Sequence, residues 1–484
     1  MRPRQPLALL GALAAAASLA ACAVGPDYIA PRPPPAAGAG FIGAQGAGEF
    51  AQQPLPAHWW RLYDDPTLDG LEIEALARNA DLQVAAANLL YAQALLSEAR
   101  DNRFPTTQLS AEGPAYGRSS LSAALNAPAS QFYTAGFTAA YQLDLFGRLR
   151  RAIEAARANA GAAQATADAT RVTIAAQTAG AYANICGFGE QLAVARQSLA
   201  IVQKTYDLVI VQRDAGALSD FDVARERTIL EQTRASIPML EGQRRANLFV
   251  LAALVGHTPG DLPPAVGACA VPPKLTRPLP VGDGVQLLRR RPDLRGAERS
   301  LAAATARIGV ATADLYPTIS IGGGYTAAAG TLGGLGSASN GTYSIGPLLS
   351  WSFPNILTAR DHIREAGDQA RAALADFDGQ VLKALSETEQ ALSSYAAGLE
   401  QNRALIAAQS SASRALELSN VQFQAGSYSF LDLLTVQTTL VAANQAAAQS
   451  DQALATQQIA VFQALGGGWE EAPRVVVPDL PKKS

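Results

Sequence analysis

The chain has 484 residues, enough on length alone for two or three globular domains. Hydrophobic residues make up 49% of it but aromatic residues only 6%, and much of the excess is alanine interspersed with Gln, Arg and Glu, a composition typical of long helices in close contact. With 38 basic and 41 acidic residues and no basic block, the chain lacks the electrostatic footprint of a nucleic-acid-binding protein, and we exclude that class of partner.

The N-terminal residues have the pattern of an export signal, with basic Arg2 and Arg4, an apolar stretch, and small residues before Cys22. The segment Leu-Ala-Ala-Cys ending at Cys22 resembles the lipobox of bacterial lipoproteins. That resemblance implies cleavage before Cys22, N-palmitoyl and S-diacylglycerol groups on this residue, and, because Ala23 replaces the aspartate of inner-membrane lipoproteins, sorting to the outer membrane. An ordinary secretory signal cut nearby is the alternative.

Side chains suited to catalysis or metal binding are few. Neither HExxH nor CxxC occurs, no GxGxxG lies between a strand and a helix, and three histidines are isolated: His58, His257 and His362. Cys186 and Cys269 can pair in an oxidising compartment, but we expect both to be unpaired. The sequence therefore predicts no catalytic residue, no metal site and no cofactor other than the lipid on Cys22.

The chain is internally duplicated. FPTTQLS from Phe104 matches YPTISIG from Tyr316, 212 positions later, and AGALSDFDV from Ala215 matches AGSYSFLDL from Ala425, 210 positions later. A repeat of this length marks an architectural unit. The expected divisions are a signal peptide (1–21), an N-terminal extension and belt segment (22–70), repeat 1 (71–270), repeat 2 (271–470) and a C-terminal tail (471–484).

Each copy begins with a helix, predicted over residues 71–100 and 285–313. Pro292 suits the first turn of the second helix. A β-hairpin follows, at about 105–146 and 317–354, in which odd positions are mainly apolar and even positions small or polar. This alternation is typical either of a transmembrane strand with lipid on one face or of a strand in a half-buried sheet of a soluble protein. The export signal favours the membrane, and two loops would then face outside the cell: residues 116–131 and 327–341.

A long helical hairpin closes each copy, at about 147–256 and 357–466. Its first arms (147–214 and 357–424) contain no proline, and each would be about 100 Å long if continuous. Gly216 and Gly426 lie in the predicted turns between the arms. Two returning helices are predicted, over 219–255 and 429–465. We expect Pro238 to break or kink the first of them.

Two hairpins supply four strands, fewer than the eight of the smallest bacterial barrels. Open sheet edges are not tolerated in lipid, and no run of 18 apolar residues follows the signal, so a membrane-spanning form must pool strands from several copies. A pore-free periplasmic adaptor or structural coiled-coil lipoprotein is the main rival interpretation. That class explains the long helices but not the duplicated hairpins.

Five stretches together carry a specific family resemblance: CAVGPDY from Cys22, WWRLYDDPTLDGLE from Trp59, YQLDLFGRLR from Tyr141, LLRRRPDLRGAERSLAAATARIG from Leu287, and ALGGGW ending at Trp469. The chain resembles TolC-type outer-membrane factors, specifically the NodT-like lipoproteins of resistance-nodulation-division efflux systems. This resemblance implies a mainly α fold with transmembrane β-strands, in which a homotrimer forms a 12-stranded β-barrel continued by a long α-helical barrel in the periplasm.

The same resemblance implies a function and partners. The chain would be the outer-membrane exit duct of a tripartite efflux pump, conducting drugs or other toxic compounds passively from the periplasm to the outside. Its partners would be two sister copies, a periplasmic adaptor (membrane-fusion) protein, outer-membrane lipid and, indirectly, the inner-membrane pump. No enzymatic activity is expected.

The resemblance also places a periplasmic gate at the two helical turns. Asp222 and Asp432 lie at matching places and correspond to the constricting aspartates of the family, and Leu431 fits an apolar gate position. The alternative is that both aspartates merely favour the first turn of a helix through its dipole. Related chains read LLDAQR where this one reads LLTVQT, so their Asp-Arg tether does not transfer to Thr435 and Thr438.

Overall fold

The protein is described by a computed structural model covering residues 23–32, 40–44, 48–117, 130–351 and 356–478. The predictions for the signal peptide, for Cys22 and for most of the first loop concern residues outside these ranges. Within them, no helix is both long enough and apolar enough to cross a lipid bilayer.

Helices dominate the described chain. In chain order the α-helices are α1 (Pro66–Arg78), α2 (Ala80–Asp101), α3 (Arg148–Asp214), α4 (Asp220–Leu254), α5 (Pro264–Ala268), α6 (Gly284–Arg290), α7 (Pro292–Ala313), α8 (Ile356–Gln424) and α9 (Phe430–Ala464). The strands are β1 (Phe50–Ala51), β2 (Thr106–Gly117), β3 (Ser130–Leu143), β4 (Leu279–Pro280), β5 (Thr318–Ala329) and β6 (Gly341–Ser350).

The chain divides into two compact units, each assembled from three segments. The first unit comprises Met1–Pro31, Leu89–Ala163 and Gly296–Asp378. The second unit comprises Arg32–Asn88, Gln164–Arg295 and Gly379–Ser484. Both repeats contribute to each unit.

The first unit contains a four-stranded antiparallel sheet in the order β2-β3-β5-β6. Each predicted hairpin pairs internally, and β3 pairs with β5, which joins the two hairpins. Among the described residues, the outer edges of β2 and β6 have no partner strand. The two repeats thus share one open sheet.

The second unit is held together by a core of alanine-rich helix surface and aromatic side chains. Trp59 stacks on Phe462 of α9 with ring centroids 4.5 Å apart, and both side chains are fully buried. Trp60 donates from Nε1 to Asp69 at 2.8 Å, and Tyr182 of α3 donates to Asp65 at 2.8 Å. The N-terminal segment is therefore an integral part of this core.

The long helices lie where the sequence predicts them, with α3 and α8 beginning one residue away from the predicted starts and ending at Asp214 and Gln424. The helix predicted over 71–100 is wrong as a single element, since it divides at Asn79. The Asn79 amide donates to the carbonyl of Leu254, and its Oδ1 accepts from the backbone N–H of Asp81 and of Leu82, which caps α2.

One further prediction about helix continuity is wrong. The helix predicted over 285–313 divides at Arg291, whose ψ of 119° is the extended conformation favoured before a proline. At Pro238, where the sequence predicts a break or a kink, α4 continues without a break. That residue is exposed, so the backbone carbonyl that loses its partner can be hydrated, and Ser236 donates its hydroxyl to the carbonyl of Thr233 nearby.

The expectation of two unpaired cysteines is also wrong, because Cys186 of α3 and Cys269 form a disulfide, with Cα atoms 4.8 Å apart. Gly189 lies one helical turn beyond Cys186. A Cβ atom at Gly189 would come within 2.3 Å of the carbonyl oxygen of Cys269, so the glycine permits this close approach. The pairing depends on tertiary packing over a separation of 83 residues.

Candidate functional site

The sheet of the first unit has one apolar face. A row of large side chains crosses all four strands in register, with Leu109 paired to Phe137, Phe137 to Tyr325, and Tyr325 to Tyr343. All four are exposed, and Tyr343 is 86% accessible. A second apolar row contains Leu143, Ile319 and Leu349. An exposed apolar surface of this extent is characteristic of contact with lipid or a partner.

The opposite face of the sheet carries mainly small and polar side chains, with Leu348 as an exposed apolar exception. Gln108, Thr138, Gly324 and Ser344 form the row next to the aromatic one. Because successive side chains of a strand point to opposite faces, the pairing register places the two classes on different sides. The predicted alternation is therefore realised across four strands, with one side suited to lipid and the other to water.

The turns of the two helical hairpins, which belong to the second unit, have the same geometry. Gly216 and Gly426 adopt φ of +78° and +73°, a conformation that favours glycine. The N–H of Ala217 donates to the carbonyl of Gln212 at 2.9 Å, and the N–H of Ser427 donates to that of Gln422 at 3.0 Å. Both hairpins thus reverse through the same glycine-terminated helix end.

Asp222 and Asp432 hold the starts of the returning helices. The hydroxyl of Ser219 donates to Asp222 at 2.7 Å and accepts from its backbone N–H, and Ser429 contacts Asp432 in the same manner at 2.5 Å. The hydrogen bonds from Ser219 hold the pKa of Asp222 below its usual value. Both aspartates therefore lie in the first turn of a helix, as the dipole alternative requires, and both also hydrogen-bond the serine that caps it.

Leu431 is half exposed beside this cap, and Phe221 at the equivalent place of the first hairpin is 68% exposed. Repeat-related Val211 and Val421 are also exposed. Each turn therefore presents apolar side chains to its surroundings next to one carboxylate.

The two turns differ in how their arms contact each other. Arg213 and Asp220 form an ion pair at 3.3 Å across the first turn. At the matching positions of the second turn, Phe423 and Phe430 lie with ring centroids 6.4 Å apart. Comparison of the residues 210 positions apart already reveals this change from an ionic to an aromatic contact.

The hydroxyls of Thr435 and Thr438 are engaged within α9. Thr435 donates to the carbonyl of Leu431 at 2.8 Å, and Thr438 donates to those of Leu434 and Thr435 at 3.1 and 2.9 Å. Neither hydroxyl reaches across to another helix through these bonds. These positions form no equivalent of an Asp-Arg tether.

Sequence reasoning missed a buried carboxyl near the turns. Glu226 of α4 is fully buried and contacts the side-chain amide of Gln437 of α9 at 3.4 Å. Burial raises the pKa of Glu226 to about 7, with the contact to Gln437 opposing the shift. A comparison of the two repeats gives the one local sequence signal of this burial. The residue 210 positions after Glu226 is the apolar Val436.

The histidines occupy separate environments. His257 Nε2 lies 2.8 Å from Glu74, His58 Nδ1 lies 3.7 Å from Glu471, and the ring of His58 contacts that of Trp60. Within the described ranges, no group of three or more His, Cys, Asp or Glu side chains is arranged to hold a metal ion.

Comparison with known proteins places the chain in a family. The profile of the family described as "Outer membrane efflux protein" matches residues 73–257 and 284–467, one match in each repeat. The chain is 28% identical to nodulation protein T of Rhizobium leguminosarum bv. viciae over 464 residues, covering 95% of this chain and 93% of that protein.

Two further similarities extend over almost the whole chain. It is 27% identical to the cation efflux system protein CusC of Escherichia coli O157:H7 over 456 residues, covering 94% of this chain and 98% of the relative. The solved structure of the outer-membrane channel OprN superimposes with a TM-score of 0.86 at 34% identity, covering 93% of this chain and 100% of that one. The chain therefore belongs to the outer membrane efflux protein family, in its TolC-type, NodT-like branch.

Proposed function

We propose that three copies of this chain form the passive outer-membrane exit duct of a tripartite efflux pump, through which drugs or other toxic compounds leave the periplasm. The chain catalyses no reaction in this proposal. The observation that supports it is the two-faced sheet, whose outer strands β2 and β6 each have one edge without a partner strand among the described residues. Three such sheets supply twelve strands, and joining their edges satisfies the backbone groups that lipid would leave unpaired.

The two faces of the sheet would contact different surroundings, lipid on one side and water on the other. The row through Phe137 and Tyr325 would lie against lipid, and the row through Thr138 and Ser344 would line the aqueous lumen. The long arms α3 and α8 with their returning helices would form a periplasmic helical tube. Efflux would then be driven by the inner-membrane pump, with a periplasmic adaptor protein contacting the duct.

A lipid anchor on Cys22 completes the proposed placement in the outer membrane. The lipobox-like sequence supports it, and Cys22 directly precedes the described residues. Replacement of Cys22 by serine should abolish incorporation of labelled palmitate into the protein. Undiminished incorporation would assign the lipid to another residue.

The turns at Gly216 and Gly426 form the proposed periplasmic gate. Leu431 supplies an apolar constriction, since it remains half exposed in one copy. Asp222 and Asp432 would place one carboxylate per turn beside the opening while capping their helices. Such a ring of carboxylates favours cations over anions in a pore.

The variant Phe137→Arg tests the lipid-facing assignment directly. A charge on the lipid side near the bilayer centre costs about 2–4 kcal/mol, whereas the neighbouring variant Thr138→Arg places the same charge on the lumen side. We expect Phe137→Arg to reduce the amount of heat-modifiable, folded assembly in isolated outer membranes and Thr138→Arg to leave it close to wild type. Equal accumulation of the two variants would contradict the assignment.

The variant Thr435→Asp, Thr438→Arg tests the proposed gate. Restoring an ionic tether worth about 0.5 kcal/mol in each of three copies should lower the open population roughly ten-fold. Conductance of the purified assembly in planar bilayers measures this change. The control Thr435→Val, Thr438→Val removes the hydroxyls without adding charge and should conduct like wild type; an unchanged conductance in the charged variant would contradict the gate assignment.

A further inference from the structure

Helix α9 meets the hairpin of α3 and α4 along a seam in the second unit. A groove of about 290 Å³ lies between these three helices, and α9 lines it with Thr438, Val441, Ala442 and Gln445. Gln437 and Asp451 flank this stretch of α9. Since they are about four helical turns apart, they lie on nearly the same side of the helix.

Glu226 contacts the seam at the Gln437 end. Its Oε1 has one side-chain partner, the amide of Gln437, at the long distance of 3.4 Å, and its Oε2 is buried without a hydrogen-bond partner. Among the described residues, no charged side chain of α3, α4, α8 or α9 acts on this carboxyl. An ionised carboxylate in this position would be desolvated and uncompensated.

Glu190 of α3 lies at the other end, beside the carboxylate of Asp451. Asp451 accepts from Lys274 at 2.9 Å and from the amide of Asn402 of α8 at 2.8 Å. Lys274 is half exposed and is the one cation acting on the pair among the described residues. Two ionised carboxylates would therefore face a single, partly solvated ammonium group.

We propose that Glu226 and Glu190 make the contact of α9 with the α3–α4 hairpin a proton-sensitive seam, closed while both carboxyls are protonated and loosened when they ionise. Two independent contacts at the two ends of one groove carry this inference. Both join a helix of repeat 1 to the last helix of repeat 2. A change at the seam therefore alters the contact between the two helical hairpins.

The direction of the pH dependence follows from the pKa shifts of the two glutamates. Burial raises the pKa of Glu226 to about 7, and burial together with Asp451 raises the pKa of Glu190 to about 7, against an ordinary value of 4.5. Because the folded form binds these protons more tightly than the unfolded chain, the stabilisation is complete below about pH 4.5 and is lost as the pH rises through about 7. Any effect on conduction rests on the proposed function, but the loosening itself does not.

Hydrogen–deuterium exchange of the purified, full-length protein between pH 5.5 and 8.5, corrected for the intrinsic pH dependence of exchange, tests the seam. We expect amide protection in the first half of α4 and in α9 to fall roughly ten-fold or more as the pH rises from 5.5 to about 7, and to level off above that pH. The double variant Glu190→Gln, Glu226→Gln should be equally protected at both ends of the range. The control Glu231→Gln, an exposed residue of α4 paired with Arg234, should keep the wild-type profile.

Corrected protection that does not change with pH in the wild-type protein would overturn the proposal, whether or not the double variant folds. An unchanged pH profile in a folded double variant would overturn it too. Exchange is measured without any transport step. The seam and the exit-duct function can therefore fail separately.

Discussion

Replacing Trp59 by alanine is expected to lower the free energy of unfolding of the second unit by about 3–5 kcal/mol. The indole is 1% exposed and lies flat against Phe462, 4.5 Å away between centroids. Gly467 and Gly468, just after α9, lie close to the ring, since a Cβ atom added at either would come within about 3 Å of it. The expected decrease in the free energy of unfolding combines the loss of buried apolar surface, the loss of ring stacking and the cost of an unfilled cavity.

Urea unfolding followed by the helical circular dichroism signal in detergent measures this change. The control Trp59→Phe keeps a ring stacked on Phe462 and should cost clearly less than the alanine variant. If the alanine variant unfolds at the wild-type urea concentration, the N-terminal segment is not part of the core of this unit.

Removing the disulfide with Cys186→Ala, Cys269→Ala is expected to cost about 2–4 kcal/mol, the usual range for a native cross-link of this kind. The bond closes a long loop, since the cysteines are separated by 83 residues. Arg244 also holds the chain beside it by donating to the carbonyls of Gly267 and Cys269 at 2.7 and 2.6 Å. The segment will therefore stay in place after reduction, and the loss should appear mainly as reduced stability.

The same urea titration, run with and without a thiol reductant, supplies the internal control. Reductant should shift the wild-type midpoint to that of the double alanine variant and leave the variant itself unmoved. A wild-type midpoint unaffected by complete reduction would contradict a stabilising role.

Much of the architecture follows from local sequence features. The absence of proline over 147–214 and 357–424, with a glycine two residues after each stretch, is sufficient to define α3 and α8 and their turns. Alternation with period two likewise predicts strands, and the observed register confirms that the apolar positions share a face. These features are local in sequence. Each occurs in both repeats, so each repeat supports the structure predicted for the other.

The features that sequence reasoning missed depend on distant partners. Asn79 divides the first helix because its amide reaches Leu254, far along the chain. Cys186 pairs with Cys269 because the chain passes closely over Gly189. Glu226 is buried where α4 contacts Gln437 of α9, a helix more than 200 residues later in the chain. At the turns, the sequence placed Asp222 and Asp432 correctly at the helix starts, and their part in a gate remains a proposal.

Four strands per copy can form a channel only after several copies combine. Measurement of the native mass of the acylated protein purified from outer membranes, together with dye release from liposomes containing it, tests this claim most directly. We predict a mass of three copies and rapid release of a small dye. A stable single copy that leaves the liposomes sealed would contradict the account.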